Sequence, residues 1–273
     1  MHRLSSVLRT STARVELPPD GRFLAEARTH GTLEVALNRF VGLFLHQNSA
    51  AAVVGTHDMA LLNSEQLDVL LTASGVPPLP ERGATLLDVG AGSGAVTSRI
   101  AERFDAVTTT EACWACAWRL ARRGFAVVSG EHALQSLVAE QRQYDVVTMF
   151  NVLDRTANPR EMLRDARAVL RESSGVLLVA LALPLEHFVV GSSGADALRE
   201  GLVRDARTGE EEGVDAQWAA TATALAEELF QPLGLETVAL SRVPYRCVGH
   251  SRDEIWDLDD AVFALRRVED PLV

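Results

Sequence analysis

Apolar positions along the chain change their period several times, and each change marks an element. Between Leu33 and Leu45 they recur at helical spacing, with Glu34, Asn38 and Arg39 falling between them. Ser64–Ala73 repeats that pattern, with Asn63 or Ser64 as a cap and Gly75 just past the end. The run Val76-Pro-Pro-Leu-Pro-Glu-Arg-Gly83 cannot continue a helix. After it, short continuous apolar runs predict strands over Thr85–Val89, Ala106–Thr110, Ala126–Val128, Val146–Phe150 and Val176–Ala182. Helical stretches alternate with them at Val96–Arg103, Cys113–Arg123 and Pro159–Leu170. A helix over Trp218–Phe230 and strands over Leu235–Leu240 and Ala261–Arg266 complete the series. Strands that read as unbroken apolar runs are buried on both faces, so the alternation predicts an α/β fold. Its sheet has seven strands, mostly parallel, with helices on both sides and the last strand antiparallel.

This pattern divides the chain into an N-terminal helical cap over 1–76, its first ~20 residues frayed, and a main domain over 84–268. A Gly-, Ser- and charge-rich stretch at about 191–213, containing Glu210-Glu-Glu212, reads as a solvated, mobile insertion. The net charge of -11 argues against nucleic acid, whose phosphates call for a basic footprint. The apolar run Val176–Leu185 is too short to cross a bilayer, so no membrane partner is expected. Three cysteines are too few for a disulfide framework, and the N-terminus lacks the apolar core of a secretory signal. Arg3, Arg9 and Arg14, with no acid before Glu16, bear a slight likeness to an organelle transit peptide. The simpler expectation is an intracellular, cytoplasmic monomer.

The sharpest local signal is Leu86-Leu-Asp-Val-Gly-Ala-Gly-Ser-Gly-Ala-Val96, which sets Asp88, Gly90, Gly92 and Gly94 between a strand and a helix. Ligands of open α/β sheets sit at this carboxyl edge, where glycines let the backbone turn sharply and approach them. The next strand ends in Glu111, an acid placed to accept hydrogen bonds from ribose hydroxyls, or simply to cap the following helix. The loop spacing differs from the dinucleotide fingerprint and resembles motif I of class I methyltransferases. That resemblance implies a Rossmann-like domain that binds S-adenosyl-L-methionine and releases S-adenosyl-L-homocysteine. Glu131, after the third strand, falls where such folds meet the adenine.

The fourth strand ends in Tyr144-Asp-Val-Val-Thr-Met-Phe-Asn-Val-Leu-Asp-Arg155, which brings Asn151 and Asp154 to the same edge. A carboxylate beside a neutral imidazole selects its tautomer and stabilises the cation that methylation leaves. Asp154 suits that role, though pairing with Arg155 or capping a helix explains its position equally well. Asn151-Val-Leu-Asp-Arg155, Arg242-Val-Pro-Tyr-Arg-Cys247 and Leu258-Asp-Asp-Ala-Val-Phe263, with Thr110-Glu111, Trp118 and Leu183-Pro184, resemble the DREV family of protein-histidine N-pros methyltransferases. The likeness runs from about Leu37 to Val268. It implies a product of 1-methylhistidine in proteins with alternating histidines. It also implies that Asn151 borders both the cofactor and the target imidazole, that Asp154 faces that imidazole, and that Tyr245 lines a peptide groove.

The sequence departs from the animal members at Ser93, where they carry Asp, and at Asp253-Glu-Ile-Trp-Asp257, where theirs is tyrosine-rich. Trp256 therefore stands for an aromatic that touches the second histidine. Cys113-Trp-Ala-Cys116 has redox spacing but opens a helix and has no second pair, so it reads as packing, and no metal is expected. The seven histidines show neither His-x-His nor His-Glu-x-x-His spacing. Two other readings stay open: a methyltransferase for a small molecule or another residue type, and a non-catalytic cofactor-binding module.

Overall fold

In a computed structural model of the protein, the described residues are 12–18, 20, 59–75, 78–156, 158–183, 185, 213–248 and 255–268. The helix expected at Leu33–Leu45, and all of the expected insertion but Gly213, lie outside them. The strands are β1 (Ala13–Arg14), β2 (Met59–Ala60), β3 (Thr85–Val89), β4 (Ala106–Glu111), β5 (Ala126–Ser129), β6 (Val146–Phe150), β7 (Val176–Ala182), β8 (Leu235–Val248) and β9 (Ile255–Arg267). The helices are α1 (Ser64–Ala73), α2 (Thr97–Ile100), α3 (Trp114–Arg122), α4 (Ala133–Ala139), α5 (Pro159–Ala168) and α6 (Val214–Ala224).

One sheet runs in the order β1-β8-β9-β7-β6-β3-β4-β5, with β2 pairing β8 off this path. The neighbours from β7 to β5 are parallel, and β9 is antiparallel to β7 and β8. The continuous path therefore holds eight strands rather than the expected seven. The addition, β1, is two residues long and carries no periodic signal of its own. The expected helix Val96–Arg103 shortens to α2 and a 3-10 turn at Ala101–Arg103, and α4 was not anticipated.

Alternate residues of the central strands feed opposite faces. Leu87, Val147, Met149, Leu177, Val179 and Phe263 pack with Leu163 of α5 and with Trp218 and Ala222 of α6. Leu86, Val146, Leu178, Ala180 and Val262 pack on the other side with Ile100 of α2 and Leu67, Leu70 and Leu71 of α1. Helix α1 was expected in a separate cap, yet it shares the sheet's core. It is fixed at its start by a capping box in which Asn63 Oδ1 accepts from Gln66 N and Gln66 Oε1 accepts from Asn63 N.

Strands β8 and β9 extend well beyond the expected boundaries. Pro244 breaks the strand signal in sequence because it donates no ladder hydrogen bond. In the sheet it falls between the short stretches that cover β8, β1 at Ala239 and Leu240 and β2 at Arg246 and Cys247. On β9, pairing with β7 begins at Asp260, and Leu183 N still donates to Asp259 O. Ile255–Leu258 have β8 as their neighbour among the described strands, so the ribbon overhangs the sheet.

Candidate active site

The chain runs from β3 outward through β4 to β5, then returns to place β6 and β7 on the other side of β3. This reversal leaves a crevice between β3 and β6, which is where ligands bind in open α/β sheets. A cleft of about 770 Å³ lies there. Its walls come from the loop after β3, from Glu111 at the end of β4 with Cys113 beyond it, from Gly130–Gln135 after β5, and from Phe150 at the end of β6 with Asn151, Val152 and Arg155 beyond it.

The loop after β3 is held from beneath by Asp88. This buried carboxylate accepts hydrogen bonds from the hydroxyls of Thr97 on α2 and Thr148 on β6. Burial lifts its pKa to about 6; the two hydroxyls oppose the rise and Glu111 adds to it. Above Asp88, Gly90 adopts φ 69° and donates to Thr110 O. A Cβ there would sit 2.6 Å from Val152 Cγ2, so shape and backbone both require glycine. Glu111 Oε2 accepts from Gly92 N at 2.8 Å, and Oε1 accepts from Cys113 N at 2.8 Å. The acid thus caps the approach to α3 and also braces the glycine loop, while both oxygens keep further lone pairs at the cleft wall.

The end of β6 carries a second polar group. Asn151 is buried, lies in the left-handed region at φ 52°, and lines the cleft. Its Oδ1 accepts from Ala182 N at 3.2 Å and its Nδ2 donates to Asp260 Oδ2 at 2.7 Å. Asp154 follows in the 3-10 turn Leu153–Arg155, with Oδ2 3.7 Å from Arg155 Nε. Burial pushes its carboxyl up while Arg155 opposes the rise. Asp154 Oδ1 and Asp260 Oδ1 are buried and have no hydrogen-bond partner among the described residues. Asp260 is fully buried, and that burial raises its pKa to about 8 against the Asn151 hydrogen bond, with the charges of Asp154 and Asp259 adding to the rise.

Of the expected site residues, Asp88, Gly90, Gly92, Glu111, Glu131 and Asn151 meet in one cleft. Gly94 sits behind it, where a Cβ would meet Leu120 Cδ2 at 2.7 Å. Asp154 stands beside the cleft rather than among its lining residues, and Tyr245 is buried in the core cluster on the α1 face. Trp256 pairs with Cys247 through its backbone, and its side chain lies outside the described set. Two residues outside the expected site set join it: Arg155 at the cleft wall and Asp260 through Asn151. Asp260 had a signal: it directly precedes the apolar run Ala261–Leu265 in the motif Leu258-Asp-Asp-Ala-Val-Phe263. Cys113 and Cys116 both border the cleft from the start of α3.

These residues suit an adenosine-bearing cofactor. The cleft volume falls within the usual range for small-molecule sites, Gly90 keeps its wall free of a side chain, and Glu111 offers acceptors at its edge.

Comparison with solved structures agrees with the fold. A SAM-dependent methyltransferase from Anabaena variabilis superposes with a TM-score of 0.50 at 11% identity, covering 88% of this chain and 97% of that one. Mitomycin 7-O-methyltransferase matches at a TM-score of 0.45 and 15% identity, covering 96% of this chain and 65% of that one. Among the described residues, no helix is long and apolar enough to cross a membrane. The family model of the DREV methyltransferases matches residues 29–267, and with the glycine loop, Glu111 and Asn151 around one cleft, the chain belongs to the DREV methyltransferase family.

Proposed function

We propose that this protein is an S-adenosyl-L-methionine-dependent protein-histidine methyltransferase that acts on Nδ1 of histidines in His-x-His segments. The cofactor supplies an electrophilic methyl group and leaves as S-adenosyl-L-homocysteine. The loop Gly90–Gly92, braced by Asp88, and the Glu111 carboxylate are the residues that would hold it, with Glu131 at the far wall.

The observation that carries the histidine reading is Asp154 Oδ1, a buried acceptor without a partner among the described residues, beside the fixed amide of Asn151. An imidazole N–H is the donor such an atom lacks. By accepting Nε2–H, Asp154 keeps the Nδ1 lone pair free and stabilises the positive charge that develops on the ring. Asn151 orients the ring or the peptide. The net charge of -11 is compatible with a basic or neutral peptide. The test is incubation with labelled cofactor and a His-x-His peptide array, followed by location of the methyl group. The expected product is 1-methylhistidine. Label on lysine, on Nε2 or only on small molecules overturns the reading.

A further inference from the structure

Asn151 is clamped at both ends of its amide, and the clamp has a direction. Ala182 N can only donate, so Oδ1 must face it, and Nδ2 must then face Asp260. Ala182 and Asp260 are themselves register partners across β7 and β9, so both halves of the clamp come from one pair of residues in the sheet. This support fixes Asn151 at positive φ, a region that asparagine enters more readily than most non-glycine residues. Asp260 also lies within electrostatic reach of Asp154, and each acid has one buried oxygen without a partner among the described residues. Two such carboxylates in an apolar interior do not both ionise readily.

We propose that Asp260 is a positioning residue of the methyl-transfer site: it fixes the Asn151 amide toward the cleft and retains a proton beside Asp154, so that the two acids carry one negative charge. The inference rests on the reading of Asp154 given above. Charges around Asp260 come from Asp154 and Arg155 in the turn after β6 and from Asp259 on its own strand, and the upward push on Asp260 agrees with a retained proton. Burial pushes Asp154 up as well, but the Arg155 charge opposes that rise, and Asp154 is assigned the single negative charge that faces the target imidazole. When Asp260 ionises, at about pH 8, its hold on Asn151 Nδ2 strengthens, but a second negative charge then faces Asp154 and the repulsion disturbs the pair. In wild type, kcat/KM for the peptide should therefore fall on the alkaline side, near pH 8.

Two variants of the full chain and one spectroscopic titration test this. Asp260→Asn preserves an acceptor for Asn151 Nδ2 but does not titrate, so it should lose the alkaline fall. Asp260→Ala removes the acceptor and should lower kcat/KM for the peptide by on the order of 10-fold more than Asp260→Asn. In both, affinity for S-adenosyl-L-homocysteine measured by calorimetry should stay near that of wild type. Independently of turnover, NMR of the S-adenosyl-L-homocysteine-bound protein should show the Asn151 Nδ2 protons shifting with a midpoint near 8, and Asp260→Asn should abolish that shift. Side-chain protons of Asn151 that ignore pH, or an Asp260→Asn profile with the wild-type alkaline limb, overturn the proposal. If wild type makes no 1-methylhistidine while the Asn151 titration appears as described, the histidine reading fails and the Asp260 assignment stands.

Discussion

Asp145 Oδ2 accepts two hydrogen bonds from Thr85, one from its backbone N–H at 2.9 Å and one from its hydroxyl at 2.8 Å. Arg171 Nε closes the other side of the carboxylate at 2.6 Å. The first residue of β3 is thereby pinned to the residue that precedes β6, at the end of the sheet opposite the cleft. Spacing between these two strands sets the width of the crevice at their far ends.

This anchor has a pH signature. Burial works to raise the Asp145 pKa, but the hydrogen bonds from Arg171 and Thr85 outweigh it and hold the group below the ordinary carboxylate range. A depressed folded-state pKa gives stability that is present above the unfolded value of about 4 and is lost as pH falls below it. Asp145→Asn should lower the urea midpoint at pH 7 and flatten its dependence below pH 4. An unchanged midpoint at pH 7 would show that the anchor contributes nothing.

Asp260 acts with the opposite sign. Its pKa is raised to about 8, so its contribution is full below the unfolded value and is lost as pH rises from about 4 through about 8. Asp260→Asn should remove that decline. Urea midpoints of the two proteins should draw apart between pH 5 and 8 in favour of the variant, provided that two-state behaviour holds.

Cofactor affinity should depend on Glu111 and on the absence of a side chain at Gly90. Calorimetry with S-adenosyl-L-homocysteine should show binding to wild type and severe weakening in Glu111→Ala and Gly90→Arg. Glu111→Ala also leaves Gly92 N and Cys113 N without their acceptor. No binding to well-folded wild type would falsify every methyltransferase reading of the cleft.

Asp154→Asn preserves shape and removes charge. A fall in kcat on the order of 10²-fold, equivalent to about 2.7 kcal/mol, is expected with cofactor affinity little changed. Asn151→Ala should raise KM and lower kcat together. A near wild-type rate in Asp154→Asn would leave the acid with a structural role only.

Helix α1 belongs to the core, and truncation there should unfold the protein. Leu70 is fully buried between α1 and the sheet, so Leu70→Ala should cost about 2–5 kcal/mol by chemical denaturation. Deleting residues 1–76 should abolish cooperative unfolding rather than selectively weaken peptide binding.

The central sheet was legible in the sequence because its strands are short, apolar and buried on both faces. The glycine loop and Glu111 were legible because their order along the chain matches their order around the crevice. The role of Asp260 was not, because the acid stands out beside the apolar run Ala261–Leu265 but its partner Asn151 lies 109 positions away. The helix Ala133–Ala139 escaped because seven residues give too little periodicity. Pro244 hid the second half of β8, which pairs with the start of β9 at Ile255–Leu258 and with β2 at Met59–Ala60. For Tyr245, resemblance implied a groove residue, whereas packing with Val243 and Leu258 beside α1 buries it.

The overhang of β8 and β9 separates two kinds of evolutionary freedom. Ile255–Leu258 extend about 13 Å at ~3.3 Å per residue and are paired with β8 alone among the described strands. Substitutions there escape the constraint of packing against β7, whereas Asp260, on the same strand but inside the sheet, does not. Leu258 still packs against the core cluster that holds Tyr245, so the part of the ribbon freed from β7 pairing is the backbone of Ile255–Asp257, while the Asn151–Asp260 clamp at its root stays fixed. On the proposed reading, in which Trp256 meets the peptide, a graft of another family member's ribbon tip, joined before Leu258, would exchange substrate preference and leave the Asn151–Asp260 hydrogen bond intact.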